Sequence, residues 1–180
     1  MGLFDKNFHE MFSAEIISVL GGLLAGTVLA IYTNKLLLLP GMLIILPVFL
    51  EMRGNISGSF ASRLSSGLFL GVIKPSRIKT HIIKGNLVAS FVLALAVSLL
   101  LGCFAFIFNY IILKTLTWNI ILIPLIAGCI ANAIEIPLTL FVTFGLFKRG
   151  HDPNNIMGPF VTTTGDITSI VALLIAVLIV

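Results

Sequence analysis

The chain reads as long apolar runs separated by short polar breaks. The first covers Ile16 to Tyr32 and ends at Thr33-Asn34-Lys35; later ones run from Gly85 to Leu113, from Ile120 to Phe147 and from Ile156 to Val180. Each is long enough for a membrane helix, which takes about 20 residues. The region between the first and third runs is less regular. Leu36 to Leu50 is apolar around Pro40 and Pro47, Glu51-Met52-Arg53-Gly54-Asn55 interrupts it, and Ile56 to Ile73 continues as a Ser- and Gly-rich amphipathic segment. As one straight helix this passage would be about 57 Å long, almost twice the hydrocarbon core, so it is expected to bend, tilt or leave the bilayer. The pattern predicts an all-α polytopic membrane protein with five spans, at about 16–33, 36–73 (bent), 85–113, 120–147 and 156–180, in one domain with no soluble domain beside it.

Composition agrees. Of 180 residues 58% are hydrophobic and only 10% charged, and the mean hydropathy is +1.16. An average soluble domain is about 45–50% apolar and about 25% charged, which excludes a water-soluble fold. Asp5, Glu10 and Glu15 near the N-terminus, with no clear small-residue cleavage site behind them, indicate an uncleaved first helix. The net charge of +4 comes from basic residues scattered between apolar runs. It implies contact with lipid phosphate and no nucleic-acid partner, since no basic face is interleaved with aromatics. Cys103 and Cys129 lie in apolar runs without CxxC or Cys/His spacing and are expected to be buried small hydrophobes. His9, His81 and His151 are expected at solvated or interfacial positions.

Orientation follows from Lys and Arg near the span ends. With a cytoplasmic N-terminus, Lys6, Lys74, Arg77, Lys79, Lys84, Lys148 and Arg149 lie inside, and only Lys35 and Lys114 lie outside, seven against two. Five spans then leave the C-terminus outside, in a multi-pass protein of the plasma membrane. An odd number of spans cannot be two equal halves; an assembly gains symmetry by dimerising, C2 being the commonest choice.

Glu51, Arg53, Arg63, Glu135 and Asp166 fall at or near membrane depth, where each costs about 2.5–3.5 kcal/mol even on the lenient insertion scale. On the last helix Asn155, Gly158, Thr162, Asp166 and Ser169 recur at spacings of three and four, a polar stripe ending below a wholly apolar Val171 to Val180. Asp166 is its one carboxylate, and the competing reading makes it a structural partner of hydroxyls or of Arg63. In the second passage Asn55, Ser59, Ser62 and Ser66 form a matching stripe, with Gly54, Gly58, Gly67 and Gly71 allowing close approach. A helix break at Arg53-Gly54-Asn55 would free backbone carbonyls to face a wet site. Asn132, Glu135 and Thr139 share a face of the fourth span, and Glu135 is either a second path carboxylate or the counter-ion of Arg53 or Arg63.

Carboxylates, carbonyls and hydroxyls without clustered Cys, His or Met suit a hard divalent cation, and Mg2+ above all, which keeps several waters and takes one or two carboxylates. The expected metal-site residues are Asp166, Asn55, Gly54 and Thr162, with Glu135 second in rank. No Gly-x-Ser-x-Gly elbow, His/Ser pair or zinc motif is present, so the chain is not expected to be an enzyme or to carry an organic cofactor. Mg2+ enters only as the transported ion.

Pro47-Val-Phe-Leu-Glu-Met-Arg-Gly54-Asn55, Ala61-Ser62-Arg63-Leu64-Ser65, Asp152-Pro153, Pro159, Thr162-Thr163 and Asp166 together resemble the membrane domain of MgtE-type magnesium transporters. The resemblance implies five helices per subunit, a dimer, and a central Mg2+ pore lined by the second and fifth helices. It matches Asp166 to the family's pore aspartate and Gly54-Asn55 to its Gly-Asn motif. Where the bacterial motif reads Gly-Asn-x-Gly-x-Gln, Ser57 and Ser59 stand at the last two named positions. The Ala-Ser-Arg-Leu-Ser run is closer to the eukaryotic solute-carrier relatives, which carry two such domains. The soluble N-terminal and CBS domains that gate bacterial relatives have no counterpart in this sequence. The expectation is a divalent-cation transporter or channel working as a homodimer or with a similar chain. The alternatives are a Na+- or H+-coupled exchanger and a non-transporting assembly subunit.

Overall fold

The computed structural model of the chain describes residues 5–180, and residues 1–4 of the N-terminal segment lie outside that range. The described residues fold into α1 (Lys6–Leu37), α2 (Met42–Phe69), α3 (His81–Phe108), α4 (Asn119–Lys148) and α5 (Pro153–Ile179), with a π turn, Asn109–Leu113, continuing α3. The all-α class is as expected. α1, α3 with its π turn, α4 and α5 are long and apolar enough to cross a membrane. α2 has 28 residues, about 42 Å at 1.5 Å per residue, and falls within their range of length. It is less apolar, because it carries Glu51, Arg53, Asn55 and Arg63.

α1 starts well before Ile16. Asp5 caps it, its Oδ1 accepting from the Phe8 N–H at 3.0 Å, and this supplies a partner for one of the free donors of a helix start. The passage 36–73 is not one bent element. Leu36 and Leu37 finish α1, residues 38–41 make a turn, and residues 70–80 form an irregular connection after α2. Gly41 has φ 89°, a conformation that glycine adopts without strain. A Cβ there would also lie 2.5 Å from Ile120 Cδ1 and 3.0 Å from Asn109 Cγ. The turn is thereby seated on the far ends of α3 and α4, and Asn109 Nδ2 donates to the Pro40 carbonyl at 3.3 Å.

The expected break at Arg53-Gly54-Asn55 is absent. α2 is helical without interruption across these residues, so their carbonyls remain in the helix ladder. The polar cluster that suggested a break is divided between two faces: Arg53 is buried and Asn55 is exposed. A helix absorbs both when one face meets a polar interior and the other a polar exterior.

α5 packs against α1, α2 and α4, while α3 packs against α2 and α4. Small residues set several of these contacts, as packing between membrane helices favours. A Cβ on Gly102 of α3 would lie 2.5 Å from the Ile121 carbonyl oxygen and 2.9 Å from its Cα on α4. Neither backbone atom can give way cheaply. Gly102→Ala is expected to cost roughly 1–3 kcal/mol, as overpacking does, while Gly26→Ala, where a Cβ meets nothing within 4 Å, leaves stability unchanged. Thermal unfolding of the two variants in one detergent checks this.

The cysteines depart from expectation. Cys103 is half-buried and Cys129 exposed, and both are free thiols. In a bilayer the outside of the bundle is as apolar as its core, so a hydrophobic run does not say which of its residues point inward.

Where α4 turns into α5, Glu10 of α1 gathers the chain. Its carboxylate meets His151 Nδ1 at 2.9 Å and accepts from the Asp152 N–H at 3.3 Å and from Asn155 Nδ2 at 3.0 Å. Lys6 Nζ donates to the Gly150 carbonyl at 2.6 Å. His151 is therefore held by Glu10, and Asn155 belongs to this clasp at the start of α5.

Candidate functional site

A groove of about 270 Å3 runs between α2 and α5, and it brings together Glu51, Gly54, Asn55 and Gly58 from one helix with Gly158, Thr162 and Asp166 from the other. The two helices lie within contact distance here: a Cβ on Gly54 would just touch Thr162 Oγ1 at 3.8 Å, and one on Gly58 would just touch Val161 Cγ2 at 3.9 Å. The helices run antiparallel, so Glu51 and Asp166 fall toward one end of the groove and Gly58 and Gly158 toward the other.

Four of the five expected metal-site residues, Asp166, Asn55, Gly54 and Thr162, line this groove. Asp166 is half-buried and, among the described residues, has neither a hydrogen bond nor an ion pair. The competing pairing with Arg63 is not made; Arg63 Nη2 donates to Ser90 Oγ on α3 at 3.0 Å. An unpaired carboxylate on a membrane helix is costly, and Asp166 is placed on the open groove, outside the packed interior. Thr162 Oγ1 donates to the Gly158 carbonyl at 3.1 Å and keeps its lone pairs facing outward.

The α2 stripe is exposed along its length: Glu51, Asn55, Ser59, Ser62 and Ser66 all point away from the subunit. Glu51 is the lining residue that the sequence stripe left out. Its spacing of four before Asn55 is the signal that places it there.

Glu135 stands elsewhere. It is 0% exposed and accepts from Thr164 Oγ1 at 2.8 Å and from Thr168 Oγ1 at 3.3 Å, both on α5. Arg53, also 0% exposed, reaches inward from α2, where its Nη1 donates to Asn132 Oδ1 on α4. Asn132 in turn donates through Nδ2 to the Gly128 carbonyl at 2.6 Å. Among the described residues, Arg53 Nε and Nη2 have no hydrogen-bond partner, nor do the buried hydroxyls of Ser57, Thr139 and Ser169. Ser169, expected on the path stripe, is interior. The subunit thus has two polar layers: an exterior groove with unpaired acids, and behind it a buried cluster joining α2, α4 and α5 around one cation and one anion. No group of three or more His, Cys, Asp or Glu side chains able to hold a bare metal ion exists among the described residues.

No solved structure matches the chain. Solute carrier family 41 member 2 of Xenopus laevis is 29% identical over 134 residues, which cover 72% of this chain and 24% of that protein. The chain spans about a quarter of the length of that curated relative. The sequence model of the MgtE family, described as a divalent cation transporter, matches residues 46–176, which include all of the groove and all of the buried cluster. With α-helices throughout and apolar segments long enough to cross a bilayer, the chain belongs to the MgtE family of divalent cation transporters.

Proposed function

We propose that the chain moves a largely hydrated divalent cation, Mg2+ first among them, along a path that two copies enclose by facing their α2–α5 grooves across a two-fold axis. The observation that carries this reading is the exposed row Glu51, Asn55, Ser59, Ser62 and Ser66 on a helix within the range of length of its membrane-spanning neighbours. Lipid tails offer these groups no partners, so water and a second subunit must cover them. Asp166 supplies the main attraction, and Glu51, Asn55, the Gly54 backbone and Thr162 complete a wall of oxygen ligands that meets the ion through its waters. Contacts of this kind hold a cation weakly enough to release it. Glu135 is proposed as the counter-charge of Arg53, behind the path.

All five helices span the membrane in this reading, as one domain of residues 1–180, with the N-terminus cytoplasmic and the C-terminus outside. α2 is accepted as a span despite its polarity because its polar face is the path. The two-fold assembly is tested by thiol chemistry. In a Cys103→Ala, Cys129→Ala background, Ser59→Cys is expected to give a covalent dimer with a short bifunctional thiol reagent in membranes. Leu122→Cys on the exposed side of α4 is expected to give none. Cross-linking at Leu122 alone would place the interface elsewhere and overturn the proposed path.

A further inference from the structure

A second groove lies between α3 and α4. It has a volume of about 300 Å3 and is walled by Val88, Phe91 and Val92 on one side and Ala133, Ile136 and Pro137 on the other. Two features of the sequence open it. Ala133 is too small to fill the space beside Val88 and Val92, and Pro137 cannot donate to the Ala133 carbonyl, which loosens the helix at that turn. Asn132 at its floor turns its amide away, to Arg53 and the Gly128 carbonyl. The walls are therefore apolar.

The charge at the end of this groove is one-sided. Lys84, Val88 and Val92 are four residues apart on one exposed face of α3, so Lys84 stands one turn beyond the apolar wall. α3 begins a turn further on, at His81, and presents the positive end of its dipole there. The preceding connection adds exposed Lys74, Arg77 and Lys79. No Asp or Glu occurs between Arg53 and Glu135 in the whole sequence. Apolar walls leading to clustered cations match one kind of molecule, an acyl chain joined to a negative headgroup.

We infer that the α3–α4 groove is a binding site for an anionic phospholipid, one acyl chain lying along Val88, Val92 and Pro137 and the headgroup phosphate held by Lys84 and Lys79. Scattered basic residues alone attract an anionic leaflet without choosing a place on the protein. The groove supplies the place, and neutral phospholipid, which fits the walls equally well, lacks the charge.

The experiment is lipid retention by the purified chain. Protein is reconstituted with equal phosphatidylglycerol and phosphatidylcholine and stripped with mild detergent, and the lipid still bound is measured by native mass spectrometry. The wild-type chain is expected to retain phosphatidylglycerol in preference, by about fivefold for each lysine engaged. Lys79→Glu with Lys84→Glu is expected to abolish the preference, and Val88→Trp, which fills the groove from its exposed side, to lower the retained lipid without unfolding the chain. Lys114→Glu at the other end of the bundle is the control and is expected to retain lipid as the wild type does. Equal retention of the two lipids by the wild type, or an amount of retained phosphatidylglycerol that Val88→Trp leaves unchanged, overturns the site and reduces the lysines to a general surface charge.

Discussion

Asp166→Asn is expected to abolish divalent-cation flux into proteoliposomes while leaving the fold and the dimer intact. A carboxylate and a divalent cation separated by one water layer, about 5 Å, attract by about 2 kcal/mol at the dielectric of bulk water and by about 7 kcal/mol at an effective value of 20. Even the smaller figure changes occupancy by more than about tenfold, and two copies facing one path lose it twice. Asparagine keeps the shape and removes the charge. Stability responds with the opposite sign. Asp166 has no hydrogen bond or ion pair to lose among the described residues, and a half-buried carboxylate in a membrane helix is a cost, not a support. Thermal unfolding of Asp166→Asn is therefore expected at or above the wild-type temperature, while a trapped Mg2+-sensitive dye reports little or no entry. Flux near that of the wild type would remove Asp166 from the path. Lost flux together with lost stability would mean that the side chain holds the fold.

The groove itself was readable in the sequence, because the spacing of Gly158, Thr162 and Asp166 on α5 and of Asn55 and Ser59 on α2 is helical, and a helix turns spacing directly into a face. The ends of the α5 stripe were not. Asn155 is held by Glu10, 145 residues away in the chain, and Ser169 lies inside the bundle, since the packed face of α5, Met157, Val161, Gly165 and Ser169 at steps of four, winds around the helix until it meets the stripe. Arg53 could not be placed for a related reason. It is flanked by Glu51 and Asn55, both exposed, and two residues from each it stands nearly half a turn away from the face they share, but only the position of α4 decides that it points inward. Spacing tells which residues look the same way. It does not tell which way that is when lipid and protein interior are equally apolar, and the same ambiguity placed Cys129 in the core when it faces outward.

The buried layer behind the groove carries the second large effect. Glu135→Leu is expected to destabilise the chain by about 3–5 kcal/mol, the usual cost of leaving one buried charge without its counter-charge. Arg53 would keep its single bond to Asn132, its Nε and Nη2 already being without hydrogen-bond partners among the described residues, and Thr164 and Thr168 would lose the carboxylate they donate to. Arg53→Met alone is expected to cost a similar amount by stranding Glu135. The double variant Arg53→Met, Glu135→Leu removes both charges and replaces them with apolar volume, an exchange that is often neutral or stabilising. It is expected to recover most of the lost stability, so the two single costs fall far short of adding. A double-mutant cycle on thermal unfolding in one detergent measures the coupling, and additive costs would show that the two residues act separately. The same three variants decide the role of Glu135 in transport. As a ligand on the path, its loss would lower flux in the single and double variants alike. As the counter-charge of Arg53, its loss is expected to lower flux through the amount of folded protein only, and the double variant then conducts where Glu135→Leu does not. The acid that attracts the ion and the acid that holds the helices are in this way separated by experiment, one losing flux without stability and the other stability without a direct part in the path.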